Sequence, residues 1–271
     1  MSAAPFLRRA RVAQASPPAD AADEKSHAAA DAADERSAEA AGELYGLDLA
    51  AVAMLDQVEF GPVTVLAGAN GSGKSTVVEA LAVAAGFNPE GGSRNLQFNT
   101  HDTHSALHDH LTLEWSSWPR WGWFLRAETY YGMASHIAND DDPYGGVAAL
   151  FPDLHGRSHG ESFLALAESR FTGRGFYLFD EPESALSIQG QMTLAAIIAE
   201  SVEAGSQFII ATHSPMLMAY PEATIYELDA ETGIEPCRFD DLLSTTLWFR
   251  FFAKPESFYE KFTTPPADPS G

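Results

Sequence analysis

Gly68-Ala69-Asn70-Gly71-Ser72-Gly73-Lys74-Ser75 is a glycine-rich octet that closes on a lysine and a hydroxyl. These residue types at this spacing can hold a chain of phosphates. Glycines let the backbone turn so that successive N–H groups face the anion, and a helix opening behind the loop adds its partial positive charge. Lys74 is expected to reach the β- and γ-phosphates and the Ser75 hydroxyl to ligate Mg2+, with Gly68, Asn70, Gly71, Ser72, Gly73 and Thr76 completing the cradle. Further on, the apolar run Phe176–Phe179 ends in Asp180-Glu181-Pro182. A carboxylate at the end of a buried strand beside such a loop can hold Mg2+ directly or through water, which is the role expected of Asp180. Glu181, one residue later where the chain leaves the strand, is placed to polarise an attacking water as general base. The chemistry these residues spell is hydrolysis of a Mg-nucleotide.

The elements that must position them can be read from periodicity. Val58–Phe60 and Val63–Ala67 read as strands, and Ser75–Ala85 as a helix stopped by Gly86. Phe6–Val12, Leu111–Trp115 and Trp123–Leu125 also read as strands, and Ser162–Phe171 as a helix. Phe176–Phe179 and Phe208–Ala211 are continuous apolar runs, as parallel strands buried on both faces require, and a helix over Ile188–Ala204 separates them. Ile225–Leu228 and Glu235–Phe239 suggest a terminal hairpin, with helices from Asp240 onward. The alternation predicts a three-layer α/β fold. The expected organisation is a first strand in 1–13, a low-complexity acidic insert in 14–44 and one domain over 45–271. The insert, rich in Ala, Asp, Glu and Ser, reads as mobile or as a solvated Ala-rich helix.

Composition narrows the setting. The chain has 271 residues, 45% of them hydrophobic, and a net charge of −22. Residues 14–44 hold eight acids and two bases, a net of −6, so the rest still carries −16. That is a poor surface for gripping a phosphate backbone, so charge does not support DNA as a partner. No apolar run is long enough to cross a membrane. The arginines at 8, 9 and 11 are not followed by the apolar stretch of a signal peptide. The single Cys237 fits a reducing compartment, and a cytoplasmic location is expected.

Two constellations admit two readings each. His101, His104, His108 and His110 spell either a metal site or a polar surface loop. Trp115, Trp118, Trp121 and Trp123 could stack nucleobases, but only Arg120 and Arg126 accompany them. A core, or a docking surface of a helical subdomain, fits them better.

Over about residues 47–230 the chain resembles ATPases of the ATP-binding-cassette (ABC) type. It looks closest to the SMC/RecF/OLD-like branch and the predicted AAA-family ATPases. The wording that carries this is Asp180-Glu181-Pro182-Glu183-Ser184-Ala185-Leu186-Ser187 and Thr212-His213-Ser214-Pro215. FNPEGGS (87–93) and SHGESFLAL (158–166) also look like a compact bacterial subfamily. The resemblance implies a P-loop NTPase fold with an ABC-like mixed sheet and a small helical subdomain within about 100–170. It implies ATP as the nucleotide. It also gives Arg157-Ser158-His159-Gly160-Glu161 the place of the signature motif, where Ser158, Gly160 and Glu161 cap the ATP of a partner subunit. Arg157 and His159 depart from that motif's usual leucine and glycine, and an ordinary helix N-cap at Ser158 or His159 is the other reading. Ser184–Ser187 resembles the D-loop at the dimer interface. His213 resembles the switch histidine of the γ-phosphate region, and Gln97 the Q-loop glutamine, a Mg2+ and water sensor.

The implied assembly is an ATP-glued homodimer. Some eighty residues separate the P-loop from RSHGE, too few for long coiled-coil arms and enough for a small subdomain. Three functions remain open: an SMC/RecF-like head serving DNA repair or maintenance or another protein partner, the nucleotide-binding subunit of a transporter, and an ATP-dependent interaction switch.

Overall fold

Strands with apolar residues on both faces can survive only in the middle of a sheet covered on both sides, and the chain builds such a sheet. The computed structural model describes residues 4–13, 49–94, 106–127, 129, 158–171 and 173–263. Among the described residues the strands are β1 (Leu7–Val12), β2 (Val63–Gly68), β3 (Leu111–Trp115), β4 (Gly122–Arg126), β5 (Phe176–Asp180), β6 (Gln207–Ala211), β7 (Thr224–Asp229) and β8 (Gly233–Cys237). The helices are α1 (Ala50–Ala53), α2 (Lys74–Ala84), α3 (His159–Arg170), α4 (Ile188–Glu203), α5 (Pro215–Met218), α6 (Leu243–Ala253) and α7 (Glu256–Thr263). Six strands form the main sheet in the order β4-β5-β6-β2-β7-β8. All neighbours are parallel except β7 and β8, whose hairpin puts Pro236 on the edge strand, where a missing N–H costs no ladder bond. β1 and β3 pair antiparallel as a separate two-stranded sheet.

Alternation along the central strands divides the core in two. Leu66, Phe124, Phe176, Leu178, Ile209 and Ala211 face the layer of α2 and β1. Val65, Leu125, Tyr177, Phe179, Phe208 and Ile210 face α3 and α4. This is the expected three-layer α/β fold with a mixed sheet, and it puts α2 and α3 on opposite faces.

Several expectations shift. Val58–Phe60 is not a strand: Val58 N–H closes a 3-10 turn on Leu55, Glu59 N–H donates to the Tyr226 hydroxyl, and only Phe60 N–H reaches a backbone carbonyl of another chain segment, Arg8 O. The donors a ladder needs are spent elsewhere. The helix expected from Ser162 starts at His159, because Ser158 and Glu161 form a capping box. The last strand starts at Gly233 and ends at Cys237, not at Phe239. The tryptophans sit on β3, β4 and the turn between them rather than on a helical subdomain. Trp123 is buried, Trp115 packs edge-on against Phe176, and Trp118 and Trp121 are exposed. The insert at 14–44 and most of the segment expected to hold the helical subdomain lie outside the described residues.

Candidate nucleotide site

The phosphate loop runs from the end of β2 into α2. At its first glycine the backbone has φ +141°, and a Cβ there would stand 2.2 Å from Leu228 O and 2.8 Å from Ser72 Oγ. Only glycine lets β2 pass β7 this closely. Gly73 caps α2 in the left-handed region at φ +94°. Between them Ala69, Asn70 and Gly71 form an exposed crest, while Ser75 and Thr76 are half-buried at the start of α2. The Lys74 side chain, only 4% exposed, folds under the crest and donates to Gly68 O at 3.0 Å and Ala69 O at 2.9 Å. Burial pulls its pKa down, and Glu181, Asp180 and Glu183 work against that pull.

Sheet register brings the acids to this loop. Asp180 on β5 is level with Ala211 on β6, and Ala211 with Leu66 on β2, two residues before Gly68. Asp180 is therefore about 10 Å from β2 across one intervening strand, and the small Ala211 lies between. Burial pushes the Asp180 carboxyl up to about 6, opposed by a hydrogen bond from the Ser75 side chain and by Arg126. Arg126 stands level with Asp180 on β4, with its Nε 3.8 Å from Asp180 Oδ2, and binds Glu79 Oε2 at 2.6 Å.

Glu181 turns the chain out of β5 with φ +48°, a left-handed conformation unusual for a residue with a Cβ. Its N–H donates to Ala211 O at 2.9 Å, and the Ser184 hydroxyl donates to its carbonyl at 2.9 Å. Its carboxylate is half-exposed, with Oε1 3.5 Å from His213 Nε2, an ion-pair distance without hydrogen-bond geometry. His213 follows β6, which ends at Ala211, so β5 and β6 deliver the two side chains side by side.

Among the described residues seven buried side-chain polar atoms have no hydrogen-bond partner, and four of them are Ser72 Oγ, Asp180 Oδ1, Glu183 Oε2 and His213 Nε2. Orphaned buried polar atoms are costly, and their gathering in one place marks a site built for a polar ligand. Ser75 and Asp180 present hard oxygen atoms, the donors Mg2+ prefers, so the residues present fit that ion.

The structure thus gathers Gly68–Thr76, Asp180, Glu181 and His213 at one end of the sheet. It puts Ser158, Gly160 and Glu161 elsewhere, at the N-terminus of α3 on the other face. There the Ser158 hydroxyl accepts from Glu161 N–H at 3.3 Å and donates to Glu161 Oε2 at 2.9 Å, while Ser158 N–H donates to the same carboxylate oxygen at 2.8 Å. Gln97, His101 and His104 lie outside the described residues. His108 and His110 sit on a 3-10 turn, and among the described residues no group of three metal-ligating side chains occurs. Sequence reasoning passed over Glu183, Gln191 and Arg126. For Arg126 a signal existed, a charge closing the apolar run of β4 as Asp180 closes β5.

A family model described as an AAA domain matches residues 55–114, which hold the phosphate loop and α2. The chain is similar to the cytochrome c biogenesis ATP-binding export protein CcmA of Nitrobacter winogradskyi, 29% identical over 189 residues that cover 66% of this chain and 88% of that one. The CcmA of Rhodopseudomonas palustris is 37% identical over 62 residues, 23% of this chain and 31% of that protein. Among solved structures, the SMC head domain from Thermotoga maritima aligns at 19% identity and a TM-score of 0.37, covering 67% of this chain and 92% of that one. A putative metal-chelate type ABC transporter aligns at 15% identity and a TM-score of 0.39, covering 72% and 81%. The phosphate loop and the AAA-domain match thus fall on the same stretch of chain, and across 66% of its length the chain is similar to ATP-binding proteins of the ABC kind.

Proposed function

We propose that the protein binds MgATP and hydrolyses it as a head-to-tail homodimer. The observation that carries this reading is the cluster of unpartnered buried atoms on Ser72, Asp180, Glu183 and His213 around Lys74. On nucleotide binding, Lys74 exchanges the carbonyls of Gly68 and Ala69 for phosphate oxygens, and the loop N–H groups face the same anion. Ser75 and Asp180 would hold Mg2+, which when bound would neutralise charge on the phosphates. Glu181 takes a proton from the attacking water, and His213, beside it, contacts the γ-phosphate side. Ser158 and Gly160 sit on the face opposite α2, which supports their serving the phosphate loop of a second copy. Gln97 would add its sensing side chain to the same ion.

Glu181→Gln should retain ATP and accumulate as a dimer. A variant that stays monomeric at saturating MgATP in size-exclusion chromatography with light scattering rules out the sandwich.

For the client, two readings stand. The DEPESALS and THSP wording favours a cytoplasmic SMC/RecF-like head acting in DNA maintenance or on another protein partner. The CcmA likeness favours a nucleotide-binding subunit that docks on a separate membrane protein, and no described helix is long and apolar enough to cross a membrane itself. Stimulation of ATPase activity by DNA supports the first. Recovery of a membrane subunit with ATP-locked Glu181→Gln supports the second. Neither effect would leave an ATP-dependent interaction switch.

A further inference from the structure

Glu183 lies in the 3-10 turn Pro182–Ala185, two residues beyond Glu181. Its Oε1 accepts two backbone N–H groups at once, from His213 at 2.5 Å and Ser214 at 3.1 Å. The same loop is gripped from a second side. The Ser214 hydroxyl donates to Gln191 Oε1 at 2.7 Å, and Gln191 Nε2 donates to Leu186 O at 3.1 Å. The turn after β5 and the start of α4 therefore hold the segment after β6 through side chains, although the two segments are some thirty residues apart in sequence.

Anchoring two N–H groups does not require a charge, since an amide or hydroxyl oxygen would accept them. A carboxylate here adds negative charge to a place that already holds Asp180 and Glu181; all three act on Lys74. What a carboxylate offers in return is a shorter and stiffer charge-assisted bond. That matters for His213, whose imidazole stands beside Glu181 without a hydrogen bond to hold it there. With no side-chain tether, the ring is placed by its backbone, and Glu183 fixes that backbone.

We infer that Glu183 is a positioning residue: it ties the 182–187 segment to His213 and so sets where the imidazole stands. On the dimer reading proposed above, on which this inference rests for its purpose, the 182–187 segment meets the second copy. Glu183 would then pass the arrival of that copy to His213.

The test uses the full chain carrying 15N-labelled histidine and serine. Wild type is compared with Glu183→Ala and with Glu183→Gln, whose amide oxygen can accept the same two N–H groups. In wild type the His213 and Ser214 amide protons should resonate well downfield and resist exchange with solvent. In Glu183→Ala both signals should move upfield, exchange faster and carry the His213 ring signals with them, while Glu183→Gln restores them in large part. Turnover of Glu183→Ala should fall by between about 10- and 100-fold, the scale set by small misplacements in a site, with ATP affinity within about twofold of wild type. On a His213→Ala background the same substitution should cost no further turnover, because residues acting as one unit are not additive. Unchanged His213 and Ser214 signals in Glu183→Ala overturn the inference whether or not the protein hydrolyses ATP. A fully additive loss with His213→Ala, or a loss of affinity equal to the loss of turnover, overturns it too. Wild type without ATPase activity but with the expected amide shifts would remove the function proposed above and keep the tether.

Discussion

Replacing Asp180 by asparagine should make the ligand-free protein more stable at neutral pH. The native carboxyl is buried and its pKa stands at about 6 against an ordinary 3.8, chiefly because burial penalises the charged form. A folded-state pKa above the unfolded one means that the folded protein holds the proton more tightly. Asp180 therefore contributes stability that is complete below about pH 4 and is lost as pH rises through about 6. Raising the pKa from 3.8 to about 6 is worth about 3 kcal/mol, at ~1.4 kcal/mol for each tenfold change in proton affinity. Asparagine stays neutral, keeps an oxygen for the Ser75 hydroxyl, and leaves Arg126 its bond to Glu79. Urea unfolding of wild type and Asp180→Asn at pH 4 and pH 8 gives the comparison. The variant should gain about 2.5 kcal/mol relative to wild type between the two conditions, since other titrating groups cancel and the unfolded carboxyl is already partly ionised at pH 4. Equal pH dependence in the two proteins would refute the reasoning, for it would mean the carboxylate is not desolvated. In saturating MgATP the variant's advantage should vanish, because a bound Mg2+ would compensate the buried carboxylate of wild type.

Two more outcomes follow from backbone geometry. Gly68→Ala should cost at least ~2 kcal/mol in chemical denaturation, because the new methyl would stand 2.2 Å from Leu228 O; a loss under ~0.5 kcal/mol would show that β2 and β7 have room to part. Glu181→Gly should raise the unfolding free energy by ~0.5–1 kcal/mol, relief of the left-handed strain exceeding the added freedom of the unfolded chain. The same variant should lose ~100-fold or more in turnover. A less stable Glu181→Gly would remove strain from the account of this turn.

The phosphate loop and the two acids at the end of β5 were legible because each is a local pattern in its own context, an apolar strand followed by a loop. The fold class was legible for the same reason, since buried parallel strands read as unbroken apolar runs. Glu183 was not, because its role arises only when the ends of β5 and β6 stand side by side. Val58–Phe60 misled because apolar residues can be buried beside a sheet without joining its ladder. The start of α3 was half legible: Ser158 and Glu161 have capping-box spacing, but the apolar stripe itself begins only at Phe163.

Gln207 carries a consequence for how the protein is made. Buried at the start of β6, its side chain accepts from Leu7 N–H at 2.8 Å and donates to Leu7 O at 2.8 Å and Gly61 O at 3.0 Å. Its link to the first strand spans 200 residues. At about 5–20 residues per second on the ribosome, the first strand emerges ~10–40 s before its clamp. Until β6 follows, Phe6, Leu7 and Ala10, all buried in the finished core, have at most β3 to pair with and no complete main sheet to pack on. A nascent-chain chaperone that recognises short apolar segments thus has a long opportunity at β1.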